Sequence, residues 1–244
     1  MSTATSKVDE ILSVLRTEIL SGQYRPGERM PSERDLATRF GSNRGAIREV
    51  IKKLEQLGII EVNPGGVRVV PVEQATLDVV RYLLELGAID QQQLIGQLLD
   101  VLGSMMALSV RSALSLASKE ECGDIAEAIE GLICSIDQNN EELHHESFKL
   151  LNDKLIAIHQ NLVLRLIGNG IRTQFIAHIR RENFSPNIDV TRIKEALIEF
   201  KTAVLSGDPD TASTAITRHF MLLKDATQIM PDAETSPPRK TDYA

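Results

Sequence analysis

The chain has 244 residues, of which 42% are hydrophobic and only 4% aromatic, with two cysteines, no tryptophan and a net charge of −7. This length allows two small domains, and the shortage of aromatic residues favours helices packed through aliphatic side chains. Cys122 and Cys134 lie in no CxxC motif, which argues against a zinc ribbon or redox site and predicts buried free thiols. No apolar stretch reaches the roughly 18 residues of a membrane span, and the polar N-terminus lacks a signal core, so we expect a soluble, cytoplasmic protein.

Three helices are predicted in the first 58 residues. Apolar residues at helical spacing define the first helix, Val8–Leu20, and a Pro26-Gly27 turn follows it. The second helix starts at Ser32, which can cap it with Asp35 completing a capping box, and it ends at Gly41. The third helix runs from the capping pair Ser42-Asn43 to about Gly58.

The pattern then changes to strands. Ile59–Val62 and Val67–Val70 are β-branched runs separated by Asn63–Gly66, which predicts a short hairpin. Three helices followed by a hairpin predict a winged helix-turn-helix over residues 1–72.

The remainder shows only helical patterns up to about residue 230. We predict an all-α helical-bundle domain for ligand sensing and dimerisation over residues 73–230, and a disordered polar tail over 231–244. The predicted fold is therefore mainly α, an N-terminal winged helix-turn-helix followed by an all-α effector domain. The predicted helices are 73–87, 90–116, 119–137, 140–158, 160–182, 190–206 and 209–229.

The third helix has the character of a DNA recognition helix. Its first turn is polar and small, as entry of a helix N-terminus into the major groove requires. Arg44 can pair with a guanine edge and Asn43 can read adenine, while Lys52 and Lys53 can reach only the backbone. Residues 1–72 carry a charge balance of +2 and the rest −9, as expected if only the first part touches phosphate. The alternative is an ordinary three-helix unit with solvated arginines.

Two motifs of this domain resemble the GntR family of bacterial regulators. They are GxYxPGxxxPSERxLA from Gly22 to Ala37 and RxxIRExxxxLxxxGII from Arg44 to Ile60. The helical remainder is similar to the FadR-type subgroup, which carries an FCD effector domain of six or seven helices. Many relatives have hydroxyl residues where this chain has Asn43 and Gly45-Ala46, so a different operator is expected. The resemblance places DNA contacts at Arg34, Asn43, Arg44, Gly45, Ala46, Arg48 and the wing glycine Gly65.

Many FadR-type domains bind a divalent metal through one Asp and three His. Matched on Asn161, the first two ligand positions fall on Phe148 and Asn152; matched on Gly207–Pro209, the next falls on Leu197. Only His219 fits, so we predict no metal and no cofactor, although a non-standard site using Asp100, Glu146 or Asp153 stays open. His219 is then expected to be a hydrogen-bonded core or pocket histidine, and the adjacent His144-His145 to be solvated.

The apolar replacements suggest an apolar effector pocket, with an acyl or carboxylate metabolite as the candidate class. The chain also resembles the acyl-CoA-binding member of the subgroup at Asn169-Gly170 and the basic stretch after it, but no glycine lies near His219, which argues against acyl-CoA itself. The alternative is that these residues are ordinary core and surface residues. The candidate pocket residues are Met105, Phe148, Asn152, Arg172, Leu197 and His219.

We therefore predict a homodimeric repressor that binds palindromic operator DNA and responds to a small-molecule effector. An activator, or a ligand-independent regulator with a vestigial pocket, would have the same sequence features. An enzyme is disfavoured, because we find no nucleophile–base set, phosphate loop or paired carboxylates.

Overall fold

A computed structural model describes the backbone of residues 6–87, 90–181 and 189–228, with the side chains of these residues except 172–181 and 228. The described chain forms two compact units. The first contains the residues up to Gln91 and the stretch from Gly170 to Arg181, and the second contains the rest. The domain boundary predicted at residue 72 stays a prediction, and the predicted tail lies outside the described residues.

The first helix, α1, spans Lys7–Leu20 and begins at Ser6, whose hydroxyl accepts a hydrogen bond from the Asp9 amide. Its apolar stripe is buried as predicted, with Ile11 and Leu15 at most 1% exposed. This stripe packs against the third helix, so the two helices share the core of the unit.

Helix α2 spans Glu33–Arg39 and helix α3 spans Arg44–Gln56. Ser32 caps α2 by accepting from the Asp35 amide, but the Asp35 carboxylate accepts from the Ser32 hydroxyl rather than from the Ser32 backbone amide. Of the two hydrogen bonds of the predicted capping box, the one from the Ser32 backbone amide to the Asp35 side chain is therefore absent from the described structure. The short aspartate reaches the hydroxyl in front of it, whereas Glu121 at the equivalent position of a later helix completes a true box with Ser118.

Gly41 makes the tight turn between α2 and α3, at a φ of +56° that an L side chain rarely adopts. A Cβ at this position would meet nothing within 4 Å, so only the backbone would oppose a substitution.

We expect Gly41→Ala to lower the free energy of unfolding by about 1 kcal/mol, because alanine is strained in the left-handed region. Urea unfolding followed by circular dichroism measures this change. Gly65→Ala is the matched control, since Gly65 also faces open space but lacks a positive φ. Equal stability of the two variants would contradict the prediction.

The predicted hairpin is confirmed as strands β1, Ile60–Asn63, and β2, Gly66–Val69, in antiparallel register. The sequence did not predict that a segment before α2 pairs with the hairpin. Arg29 forms an isolated antiparallel bridge with Arg68 of β2. Backbone hydrogen bonds from Met30 to Val67 and from Gly27 to Val69 support this bridge. The stretch 27–30 thus pairs with the outer side of β2 through this single bridge.

The continuous helix predicted over 73–87 is wrong. Two 3₁₀ turns, Val72–Gln74 and Leu77–Val79, precede helix α4, Val80–Leu86. The interruption has a tertiary cause, because the extended Thr76 donates its amide to the Leu57 carbonyl at 2.9 Å. Helix α4 then lies against α1, where the Arg16 guanidinium stacks 3.6 Å from the Tyr82 ring centre.

The remaining helices confirm the predicted all-α architecture, with ends shifted by no more than two residues. They are α5 Gln91–Leu114, α6 Lys119–Asp137, α7 Glu141–His159, α8 Leu162–Arg181, α9 Val190–Ser206 and α10 Pro209–Gln228. In the second unit α9 packs on α10 and on α6, and α6 packs on α7. Ile125, Leu151 and Phe200 lie at the centre of this core with no exposed surface.

Helix α5 is long and apolar enough to cross a membrane by length and composition alone. It buries one face inside the second unit, and Gly103 lies so close to α10 that a Cβ would sit 2.8 Å from the Phe220 Cβ. Its opposite side exposes Val101 and Leu108. Since a core helix of a soluble protein passes the same test, this helix is weak evidence for a membrane.

Candidate nucleic-acid interface

The first turn of α3 is exposed, and its following turns are buried. Arg44 and Gly45 face solvent, whereas Ile47, Val50 and Leu54 have no exposed surface. The helix therefore anchors its C-terminal three turns in the core and presents its N-terminus outward. This is the arrangement with which a recognition helix enters the major groove.

Asn43 is the N-cap of α3, and its Oδ1 accepts a hydrogen bond from the Ala46 amide at 2.9 Å. A Cβ on Gly45 would lie 3.1 Å from that same oxygen. Gly45 thus leaves room for the cap, in addition to the close DNA approach predicted for it. Because Oδ1 is engaged, the Asn43 amide NH₂ is the group left free to meet a base.

The three predicted arginines differ in how they are held. Arg44 is exposed and has no side-chain hydrogen bond or ion pair with any described residue. Arg48 donates from Nε to both Glu33 carboxylate oxygens, at 3.0 and 2.9 Å. Arg34 lies 3.7 Å from Asp35 and is 76% exposed. Arg44 is therefore available to bind a base, whereas Arg48 is already oriented by Glu33 of α2 in the DNA-free protein.

Lys53 is held by acidic side chains. It lies 3.2 Å from Asp9 and 3.3 Å from Glu49, and its hydrogen bond with Asp9 raises its pKa. Lys52 is exposed on the same helix. Of the two lysines predicted to reach only the DNA backbone, Lys53 is therefore ion-paired within the protein, and Lys52 has no ion pair with a described residue.

The two wing glycines have different surroundings. A Cβ on Gly65 would meet nothing within 4 Å, and the approach of this glycine to DNA stays a prediction. Gly66 has a φ of +113°, and a Cβ there would lie 2.7 Å from the Arg29 Nε. Sequence reasoning missed Arg29, because nothing local places a residue of the Pro26-Gly27 turn against the tip of a later hairpin.

We expect Asn43→Ala to lower the free energy of unfolding by about 1 kcal/mol, since it leaves the Ala46 amide without its cap. Asn43→Asp keeps a cap acceptor of similar strength, so its stability should match the wild type. Its added negative charge should nevertheless weaken DNA binding. Thermal unfolding and DNA titration of both variants separate the two roles, and an unchanged stability of Asn43→Ala would show that the cap is dispensable.

In the second unit, the predicted pocket residues lie on helices α5, α7, α9 and α10. The Phe148 ring on α7 lies 6.4 Å from the ring of Phe220, the neighbour of His219 on α10. Leu197 on α9 is fully buried, Asn152 is half-buried on α7, and Met105 lies near Gly168 of α8. The side chain of Arg172 lies outside the described residues.

His219 is 4% exposed, and its Nδ1 has no hydrogen-bond partner among the described residues, so the expectation of a hydrogen-bonded histidine is wrong at that atom. Burial, with a smaller contribution from nearby His144, lowers the pKa of His219 to about 4. The ring is therefore neutral at pH 7, because its burial makes the charged form costly.

The expected solvation of His144 is also wrong. Its Nδ1 lies 3.0 Å from the Ser135 hydroxyl, and burial lowers its pKa. The turn before α7 directs this side chain towards α6, which sequence spacing did not reveal. Cys134 is half-buried rather than buried, and Cys122 is buried as predicted.

Among the described residues, no group of three or more His, Cys, Asp or Glu side chains is placed to hold a metal ion. Phe148 and Leu197 supply no metal ligand at the positions matched to the family's site. The prediction that the protein binds no metal therefore stays a prediction.

The chain is similar to known regulators. A family model described as "Bacterial regulatory proteins, gntR family" matches residues 7–70. The regulator Mce2R of Mycobacterium tuberculosis is 26% identical over 87% of this chain and 88% of its own length. The galactonate operon transcriptional repressor of Escherichia coli is 28% identical over 86% of this chain and 92% of its own length.

Among solved structures, that of Lar, described as controlling expression of the Listeria monocytogenes agr system, superposes with a TM-score of 0.57. The superposition covers 94% of this chain and all of that one, at 16% sequence identity. At this identity the likeness concerns the fold, and it extends over both the winged helix-turn-helix and the helical domain.

Proposed function

Since this chain is a transcriptional regulator of the bacterial gntR family, with that family's DNA-binding domain at residues 7–70, we propose that it represses transcription from a two-fold symmetric operator. The observation that carries the DNA-reading role is the exposed, unpaired Arg44 on the capped first turn of α3. An arginine there can donate two hydrogen bonds to a guanine edge. The similarity to a protein named as an operon repressor favours repression over activation.

The test begins with duplexes selected by the protein from a random 30-base-pair pool. Fluorescence anisotropy should then give a dissociation constant that rises steeply with salt, because phosphate contacts release counterions. A reporter promoter carrying the selected sequence should be silenced by the protein. Failure to select any sequence would contradict the DNA-binding role, and increased transcription would favour the activator.

We propose that the protein acts as a homodimer in the cytoplasm, where the chromosome lies. One recognition helix reads too few base pairs for useful specificity, and a two-fold protein matches a palindromic site. Native mass spectrometry of the purified full chain measures the oligomeric state directly. A monomer that binds the selected duplex through one DNA-binding domain would overturn the proposal.

We further propose that an acyl or carboxylate metabolite binds near His219 in the FadR-type helical domain. The buried, unpartnered Nδ1 supports this assignment, because an unsatisfied buried polar atom costs about 1–3 kcal/mol and a ligand group can satisfy it. The apolar Phe220, which lies against the His219 ring and the Phe148 ring, suits an aliphatic chain. Such a ligand alters operator affinity only if it binds the free and DNA-bound states differently.

A thermal-shift screen of short-chain and medium-chain carboxylic acids tests this effector class. A ligand should raise the melting temperature of the wild type but not of His219→Leu. His159→Leu is the control, because both ring nitrogens of His159 already have partners, the Ser109 hydroxyl and the Asn161 amide. Stoichiometric zinc or nickel in the native mass spectrum would overturn the metal-free assignment.

A further inference from the structure

The wing carries a basic side chain that comes from a distant part of the sequence. The isolated antiparallel bridge between Arg29 and Arg68 places these two arginines side by side, Arg68 on β2 and Arg29 on the segment paired with it. Glu61 lies opposite Arg68 in the β1–β2 register. Residues directly opposite each other in antiparallel strands share one face, so these three side chains form a row across the wing.

The other face of the wing is apolar. Ile60 and Val69 form a register pair and are buried, and Met30, which bonds to the Val67 carbonyl, is 3% exposed. Because side chains alternate along a strand, the row with Arg29 must point away from the core. Arg29 is accordingly exposed.

The members of the row are not equally available to a partner. The Arg68 guanidinium donates to the Gly27 carbonyl at 2.7 Å, and Arg68 is paired with Glu61 in the strand register. Arg29 has no hydrogen bond or ion pair with any described residue. Its guanidinium lies against Gly66, at the tip of the hairpin, where a Cβ would come within 2.7–3.2 Å of its Nε, Nη2 and Cζ atoms.

We propose that Arg29 is a further sequence-reading residue, which inserts with the wing tip into the narrow minor groove of an A·T-rich segment flanking the recognition-helix site. Narrow A·T minor grooves concentrate negative potential and attract arginine. The Arg29 guanidinium lies against the wing tip, where Gly65 and Gly66 present no side chain. A wing tip that enters the minor groove therefore brings the guanidinium into the groove with it. This inference rests on the proposed DNA-binding function.

Gly66 has a specific role in this arrangement. A side chain at Gly66 would occupy the space of the Arg29 guanidinium, and only the flexible arginine could give way. Gly66→Ala should therefore reproduce part of the Arg29→Ala effect on DNA. Gly65→Ala should affect DNA binding without moving Arg29, since its Cβ would contact no part of the protein.

The experiment uses the full chain and a duplex selected by the wild type, made with three flanks: A·T, G·C and inosine·C. Inosine·C lacks the guanine amino group, so it resembles A·T in the minor groove while resembling G·C in the major groove. We expect Arg29→Ala to lose about tenfold in affinity on the A·T and inosine·C flanks and little on the G·C flank. Arg29→Lys should recover only part of the loss.

Arg25→Ala is the matched control, because Arg25 is an exposed arginine in the same turn and its removal changes the net charge equally. Its effect should not depend on the flank. An Arg29→Ala loss that is equal on all three flanks would show a phosphate contact and overturn minor-groove reading. If Arg29→Ala binds all three duplexes as tightly as the wild type does, the role of Arg29 is overturned and the proposed DNA-binding function is not. If the wild type selects no duplex, the proposed function itself is overturned.

Discussion

Replacing Arg44 with alanine should weaken binding to the selected operator duplex by about 1–3 kcal/mol, which is roughly tenfold to more than a hundredfold. The reason is that Arg44 lies exposed on the first turn of α3 with no partner in the described protein, free to form two hydrogen bonds to one guanine. The loss should relax the base preference at one operator position. Anisotropy titrations against a set of single-base operator variants measure both effects.

Lys52→Ala is the control for Arg44→Ala, since it removes one positive charge from the exposed side of the same helix. It should weaken binding to all duplexes about equally and reduce the salt slope by about 1. An Arg44→Ala protein that binds the operator as tightly as the wild type would show that α3 is not the reading helix.

Acidification should destabilise the helical unit through His219. The pKa of this histidine is about 4 in the folded protein, against an ordinary value of 6.5, because its burial opposes the charged form. Between about pH 6.5 and pH 4, His219 is therefore protonated in the unfolded chain but neutral in the folded chain. The free energy of unfolding is fully retained above about pH 7 and falls as pH falls towards 4, by about 2 kcal/mol between pH 7.5 and 5.

The comparison of the wild type with His219→Leu isolates this effect. Urea unfolding should be followed by far-ultraviolet circular dichroism at both pH values, because the chain has no tryptophan. The leucine variant should lose much of the pH dependence and should be no less stable at pH 7.5, since it removes an unpartnered polar atom. His144, whose pKa is also lowered, accounts for a remaining part. An unaltered pH dependence would show that His219 is not buried as a neutral ring.

Much of the DNA-binding domain could be predicted from short-range signals. Ser32 and Asn43 cap their helices as expected, and Gly41 provides the turn between them, because capping and turn geometry depend on residues within four positions. The periodicity of Ile47, Val50 and Leu54 likewise fixed which side of α3 is buried.

The helical domain was predictable as a set of helices but not as a site. The spans of α5 to α10 follow from their apolar periodicity and from breakers such as Gly207-Asp208-Pro209. The surroundings of His144 and His219 do not, because the pKa of a histidine depends on how completely side chains from other helices exclude water.

The sequence by itself determined that α3 presents a polar, capped first turn with Arg44 at its start, since those features are local to one helix. Only the tertiary structure decided which basic residues are already engaged and which are available. Arg48 is paired with Glu33, and Arg29 lies on Gly66, each across a turn or a strand that brings distant residues together. Contacts between residues far apart in sequence depend on the packing of the whole unit, and no local pattern encodes them.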